Sequence, residues 1–191
     1  MINTSTTWFG KFLSGDDPTG WLNGLAEIVA AALAEDPSRS QPATCDVGAK
    51  IIGPVVFGRN CIVGHGALVV GPAVFGDNSV IGHCSEVSRS IFGDDTHAPH
   101  FNYIGDSVLG SRVNLGAGVK LANVRFDKKN IRGGAQKLGS ILGDDVQIGC
   151  NAVLDPGTVV GAGVWFAGVH LPAQTDGAAY TRETVKDFFY K

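Results

Sequence analysis

Three histidines stand at nearly even spacing in this chain: His65, His83 and His100, which are 18 and 17 residues apart. Imidazole titrates near neutrality, so a histidine suits either general-base chemistry or metal ligation. Three histidines and a water make a workable catalytic zinc set. The last of the three opens the richest polar run of the sequence, Ala98-Pro99-His100-Phe101-Asn102-Tyr103-Ile104-Gly105-Asp106, and Asn114 and Asn123 follow it. Pro99 holds the residue ahead of it in extended angles, so the chain arrives at His100 in a defined direction. A second concentration of chemistry lies at 124–137, where Arg125, Lys128, Lys129, Arg132 and Lys137 crowd together. Such a group is either a solvated insertion or an anion site for a phosphorylated ligand, which Arg and Lys serve well. His97 and His170 read as surface residues.

The elements that position these residues are set by a repeat. An aliphatic or aromatic residue followed by Gly recurs every five or six residues: Val47-Gly48, Ile52-Gly53, Phe57-Gly58, Val63-Gly64, Val70-Gly71, Phe75-Gly76 and Ile81-Gly82. The beat runs on through Phe92, Ile104, Leu109 and Leu115, breaks at 124–137, and returns at Leu142, Ile148 and Val160, with Leu154 and Phe166 in phase. Hexapeptide periods signal a parallel β-helix. One inward residue per hexad is wrong for an amphipathic α-helix and too long for a simple alternating strand. It suits a triangular coil of roughly 18 residues whose turns stack at about 4.8 Å, with Gly supplying unusual angles at the corners. Each coil buries its face only on its neighbours. Each of the three histidines sits two places after an inward residue (Val63, Ile81, Ala98), so they are expected in one column on successive coils. A column of two coil spacings is about 9.6 Å long. That is too long for three histidines of one chain on a single zinc with Zn–N near 2.1 Å, although two from one subunit and one from another could meet on it.

Before the repeat, Trp21, Leu22, Leu25, Ile28, Val29, Ala32 and Leu33 keep helical spacing between Asp16-Asp17-Pro18 and Pro37, which predicts one amphipathic helix over 19–34. It is expected to cover the open edge of the first coil, as solenoid ends require; a partner-binding helix is the other use. Trp8, Phe9 and Phe12 are candidate anchors, and 37–44 reads as a linker. The expected organisation is a helical extension and linker over 1–44, the β-helix over 45–172 with its loop at 124–137, and a tail over 173–191. In that tail a short helix at 181–190 is expected to cap the last coil with Phe188 and Phe189.

Composition agrees with one main domain: 191 residues, and Gly at 27, about twice the ordinary share of roughly 7%. A net charge of −3 gives no reason to expect nucleic acid or an anionic membrane as partner. No stretch approaches the ~18 apolar residues of a membrane span, and 1–20 lacks the pattern of a signal peptide. Cys45, Cys61, Cys84 and Cys150 are scattered with no CxxC, so free thiols in a reducing cytoplasm are expected.

The run Ala98–Gly110, with Val113-Asn114-Leu115-Gly116-Ala117-Gly118 and Ala122-Asn123, resembles the acetyltransferase half of the bifunctional bacterial enzyme that makes UDP-N-acetylglucosamine. It is even more similar to archaeal sugar-1-phosphate nucleotidyltransferase/amino-sugar acetyltransferases, through Asn123–Asp127 and Lys137–Gly139. The resemblance covers about 45–172 and implies a left-handed β-helix, a homotrimer with its site between subunits, and acetyl-CoA as acyl donor to the amine of a sugar phosphate or nucleotide sugar. It implies that His100 is the catalytic base and that Tyr103, Asn114 and Asn123 hold the acceptor. It further implies that Ala117 meets the thioester and that Cys150, Ala167 and Gly168 line the pantetheine channel. Arg125, Lys129 and Arg132 are the candidate ligands for the phosphates of CoA or acceptor, and no metal is expected. Two departures stand out. Bacterial members carry an Arg and a Lys on the sugar phosphate, at positions that fall here on Val70 and Ser88, with Arg89 adjacent. Residues 1–44 are also too few for the nucleotidyltransferase domain. Two rival readings follow: a non-catalytic scaffold subunit, and a zinc enzyme like the γ-type carbonic anhydrases, built on His65, His83 and His100.

Overall fold

The structure is a computed structural model that describes residues 1–174 and 178–185. Three parallel sheets form the sides of a prism. The first stacks seven strands: Thr44–Cys45, Ile62–Val63, Val80–His83, His97–His100, Asn114–Leu115, Gln147–Ile148 and Trp165–Phe166. The second stacks Lys50–Ile52, Leu68–Val70, Glu86–Ser88, Tyr103–Gly105, Lys120–Leu121, Val153–Leu154 and His170–Leu171. The third has six: Val55–Phe57, Ala73–Phe75, Ile91–Phe92, Val108–Leu109, Ile141–Leu142 and Val159–Val160. The chain visits the sheets in rotation, one strand per side. Register partners repeat at 18 residues (Ile62 with Val80), at 17 (His97 with Asn114), and at 33 across the insertion (Asn114 with Gln147). This is a parallel β-solenoid, and its coil length and three sides fit the left-handed β-helix that the resemblance implies.

The interior is a column of mostly the expected inward residues, with three corrections. Val47 is exposed on the edge of the first coil, Ile52 is exposed and Val70 is half-buried. The last two follow because the strands of the second sheet turn Ile51, Val69 and Val87 inward, one place before the residue that the beat marks or where it marks none. Val63, Ile81, Ala98, Leu115, Ile148 and Phe166 come from the first sheet, and Val69, Val87, Ile104, Leu121, Leu154 and Leu171 from the second. The third sheet adds Phe57, Phe75 and Phe92, whose rings pack at 5.2 and 5.0 Å between centroids. Most glycines of the beat are not there for left-handed angles; those fall largely to Asn60, Asn78, Asp95, Arg112 and Asp145 at one corner, with φ of 55–61°. The glycines are there because coils touch. A Cβ on Gly82 would meet the Pro99 carbonyl oxygen at 1.9 Å, and one on Gly76 would lie 2.5 Å from the next coil's backbone.

The N-terminal segment departs from expectation in two ways. The single helix over 19–34 is two, α1 (Pro18–Asn23) and α2 (Leu25–Glu35), divided at Gly24 with φ −92° and ψ 14°. Asp17 caps α1 by accepting from the backbone N–H of Thr19 and Gly20. The helices also do not close the end of the solenoid. They lie along its third side, where Trp21, Leu22, Leu25, Ile28, Val29 and Ala32 pack on Val56, Val74, Ile91, Val108 and Leu138. The reason is the outer surface of that sheet. Its strands are apolar on both faces (Val55-Val56-Phe57, Ala73-Val74-Phe75, Ile91-Phe92), which demands cover on both sides. Phe9 is buried in the same cluster, with Trp8 and Phe12 partly buried against it. The expected linker opens as a 3₁₀ turn, Pro37–Ser40, that Asp36 caps and whose Arg39 lies over the Trp8 ring. The first coil keeps an exposed edge, with Val47 91% accessible. At the other end Tyr180 bridges to Val160 and joins the core with Val185. Of the helix expected at 181–190, residues 181–185 form a turn, with Val185 N–H on the Thr181 carbonyl at 3.1 Å. Its second half, with Phe188 and Phe189, lies outside the described residues.

Candidate active site

His100 ends a strand at the corner between the first and second sheets, and its side chain is exposed. The next residue, Phe101, takes a left-handed φ of 54°, which turns the chain away and leaves the imidazole outside. Asn102 fixes this turn. It is 2% accessible, its Oδ1 accepts the His100 N–H at 3.1 Å, and its Nδ2 donates to the Gly116 carbonyl at 2.7 Å. The sequence offered Asn102 as part of the polar run, but nothing marked it as the residue that sets the corner.

The same corner recurs in every coil, and the expected histidine column exists. His83 and His100 are register partners. The His65 and His83 rings stack at 5.8 Å and 11°. Each Nδ1 contacts a backbone carbonyl, His65 on Val47 and His83 on His65. A carbonyl only accepts, so Nδ1 carries the proton in both rings and the bonds fix their tautomers. Stacked rings do not converge on a common point, and among the described residues no group of three or more His, Cys, Asp or Glu side chains could hold a metal ion.

Beyond His100 the column changes character. Gly118 N–H donates to the His100 carbonyl at 2.9 Å and Asn151 N–H to the Ala117 carbonyl at 2.8 Å. Ala117 and Cys150 therefore stand on consecutive coils directly along the stack from His100. Gly149 packs against Ala167, which brings Ala167 and Gly168 to the coil after Cys150. The residues expected to line a pantetheine chain thus form one track of small side chains that starts at the imidazole.

The three expected acceptor ligands do not gather in one chain. Tyr103 is on the outside of the second sheet, and its hydroxyl donates to Asn123 Oδ1 at 3.3 Å. Asn123 sits at the second-to-third corner, where its Nδ2 donates to Asp106 Oδ2 at 2.5 Å. Asn114 is on the first sheet, in register with His97 and Gln147. The Tyr103 phenol is pushed above its ordinary value by burial first of all and by the Glu86 charge. Arg89 does not replace the missing cations on the second sheet. It turns at the corner with φ 44°, ion-pairs with Asp106, and donates to the Leu22 carbonyl of α1 at 3.0 Å.

The loop leaves the solenoid at Asn123 and returns at Leu138, where Leu138 N–H donates to the Asn123 carbonyl at 3.0 Å. Its cations do not form one cluster. Arg125 makes a two-pronged pair with Asp127 at 2.9 and 2.6 Å, and that contact first of all holds the Asp127 carboxyl down at about 2. Lys129 is exposed, with its N–H on Asp127 at 3.2 Å. Arg132 belongs to a 3₁₀ turn that folds back over α1 and lines a cavity of about 530 Å³ with Asp16, Asp17, Trp21 and Ile141. Phe126 at the loop's far end is fully exposed.

No family model matches the chain. Its similarity is to curated proteins over part of their length. It is 41% identical over 86 residues to the bifunctional sugar-1-phosphate nucleotidylyltransferase/acetyltransferase of Sulfurisphaera tokodaii, covering 40% of this chain and 21% of that protein. It is 40% identical over 90 residues to the bifunctional protein GlmU of Methanocaldococcus jannaschii (43% and 22%), and 35% over 111 residues to that of an Exiguobacterium species (56% and 23%). The chain thus spans about a fifth to a quarter of the length of these relatives. Among solved structures it matches the acetyltransferase domain of PglB from Neisseria gonorrhoeae in complex with acetyl coenzyme A at 16% identity. That match covers 81% of this chain and 66% of the other, with a TM-score of 0.32.

Proposed function

We propose that this chain is an acyltransferase that moves an acetyl group from acetyl-CoA to an amine of a sugar phosphate or nucleotide sugar, with His100 as general base. The observation that carries the reading is the continuous column His100, Ala117, Cys150: an exposed imidazole at the end of a track of small residues. The activities for which the relatives are named, sugar-1-phosphate nucleotidylyltransferase and acetyltransferase, include the chemistry such a column suits. In the transfer, the acceptor nitrogen attacks the thioester carbonyl and His100 takes the amine proton. The C–S bond then breaks and CoA leaves as a thiolate, which the imidazolium reprotonates.

The placement of the acceptor residues supports an assembly. The third side is covered by the chain's own helices, while the first and second sides are bare. In a homotrimer the first side of one copy meets the second side of the next. Asn114 would then face the Tyr103–Asn123 pair of a neighbouring copy and complete a site that one chain leaves divided. We place the protein in the cytoplasm, where acetyl-CoA is supplied. Free Cys45, Cys61, Cys84 and Cys150 suit that reducing compartment. The test is thiol release from acetyl-CoA against a panel of amino-sugar phosphates and nucleotide amino sugars, with sedimentation to measure the assembly. Release with no member of the panel, or a monomer at micromolar concentration, would sink the reading.

A further inference from the structure

The helices on the third side reach the second side through one chain of bonds. The Leu22 carbonyl in α1 accepts Arg89 Nη1 at 3.0 Å. Arg89 Nε donates to Asp106 Oδ1, and the side chain of Asp106 is only 5% accessible. Asp106 Oδ2 accepts Asn123 Nδ2 at 2.5 Å, and Asn123 Oδ1 accepts the Tyr103 hydroxyl at 3.3 Å. The polarity of each link follows from the one before it. Guanidinium only donates and carboxylate only accepts, so the amide of Asn123 must turn its nitrogen to Asp106 and its oxygen to Tyr103. The phenol then gives its proton to Asn123 and keeps its lone pairs for a ligand.

We infer that the N-terminal helices position the acceptor-binding pair Tyr103–Asn123, with Arg89 as the positioning residue between α1 and Asp106. This rests on the reading of Tyr103 and Asn123 as acceptor ligands. Arginine is required at 89 because its two acceptors, Leu22 and Asp106, are engaged by different nitrogens of one rigid plane; a lysine offers a single nitrogen. The extension at 1–44 is thereby part of the acceptor site, although it lies on a different side of the prism from Tyr103.

The experiment uses the full chain with two variants outside the acceptor pair. Arg89→Lys keeps the charge on Asp106 and gives up the bridge. Trp21→Ala removes the buried indole whose N–H holds α1 to the Ser14 and Gly15 carbonyls at 3.2 and 3.1 Å. In each, KM for the acceptor should rise about tenfold, the loss of roughly one good hydrogen bond, with kcat and KM for acetyl-CoA within about twofold. The bond donated to Asn123 favours the protonated phenol, so Tyr103, followed by ultraviolet titration against Tyr103→Phe, should titrate lower than in the parent as that bond loosens. A titration unchanged in Arg89→Lys overturns the inference without reference to activity. A titration that moves while acceptor KM does not supports the positioning and removes Tyr103 and Asn123 from the acceptor site instead. If Trp21→Ala does not fold, Arg89→Lys alone decides.

Discussion

The two corners that flank the second sheet are built on the same turn and are used in opposite ways. At one, His100 stands outside the prism, and among the described residues its imidazole has no hydrogen-bond partner. At the other, Arg89, Asp106 and Asn123 spend nearly every polar atom on one another and on α1. A positioned base needs an open face toward its substrate, whereas ligands that must hold one geometry need their own partners. One repeat supplies both, because a coil corner fixes only the backbone and leaves each coil free to choose its outward side chain.

The comparison breaks most sharply at the open corner. His100→Ala removes the base and nothing else, because the turn is held by Asn102 and by backbone bonds. A positioned base contributes about 10²–10⁴-fold. The variant should lose that much kcat, with KM for acetyl-CoA and the thermal midpoint nearly unchanged. His65→Ala and His83→Ala should be far milder. Equal damage from all three, together with loss of activity on chelation, would replace the base by a metal reading.

The locked corner belongs to the covered third side, and the two bare sides provide a stability contrast. Ile91 is 1% accessible between the third sheet and the helices, and Ile62 is 39% accessible on the first sheet. Ile91→Ala should cost about 2–5 kcal/mol. Ile62→Ala should stay within about 0.5 kcal/mol of the parent in the isolated chain. A larger loss for Ile62→Ala that depends on protein concentration would show that a second copy buries the first side. Urea unfolding at two concentrations measures both.

Part of this organisation is legible in the order of residues. Most of the inward column, the loop at 124–137 and the alignment of His65, His83 and His100 follow from the period alone, since one core residue per hexad leaves few ways to wind. The exceptions, Val47, Ile52 and Val70, lie in the first coils, where the beat runs one residue out of phase with the second sheet or on an open edge. What the period does not show is which side of the prism is covered. The signal is present as paired apolar residues in the third strand of each coil, Val56-Phe57, Val74-Phe75 and Ile91-Phe92. It reads as emphasis on the beat until the strand is seen to face two ways. Arg89 is illegible for a similar reason. Its sequence position puts it beside Ser88, where the family pattern has a cation, yet its left-handed backbone sends it around the corner to Asp106.

A smaller effect follows from the core at that covered side. The Cys61 thiol is fully buried and lies 3.1 Å from the Gly76 carbonyl, and burial first of all pushes it from an ordinary 9.0 up to about 11. Above pH 9 the unfolded chain gives up this proton before the folded one does. Stability is therefore full below pH 9 and falls as pH rises toward 11, by about 2 kcal/mol. Cys61→Ala should flatten that decline. In the native protein a thiol reagent should label exposed Cys45, Cys84 and Cys150 and spare Cys61 until unfolding.

The smallest expected effect separates the loop from both corners. If the loop cations bind the phosphates of CoA or acceptor, their contacts are the same in ground state and transition state, so removing one raises KM and leaves kcat alone. The pairing in the loop ranks them. Arg125 is already matched by Asp127, and Arg132 is turned toward α1 and the cavity beside Trp21. Lys129 presents an exposed side chain to solvent. Lys129→Ala should therefore raise KM by a few-fold, on the order of the 0.2–1 kcal/mol of an exposed charge pair, and the effect should fade at high salt. Arg125→Ala should do less, because it releases Asp127 as it removes a cation. Arg132→Ala should be read in the thermal midpoint before it is read in KM. If Arg132→Ala instead gave the largest rise in KM, the loop would have to leave α1 when substrate binds. If none of the three moved KM, the loop would be a solvated insertion, and the site would consist of the two corners alone.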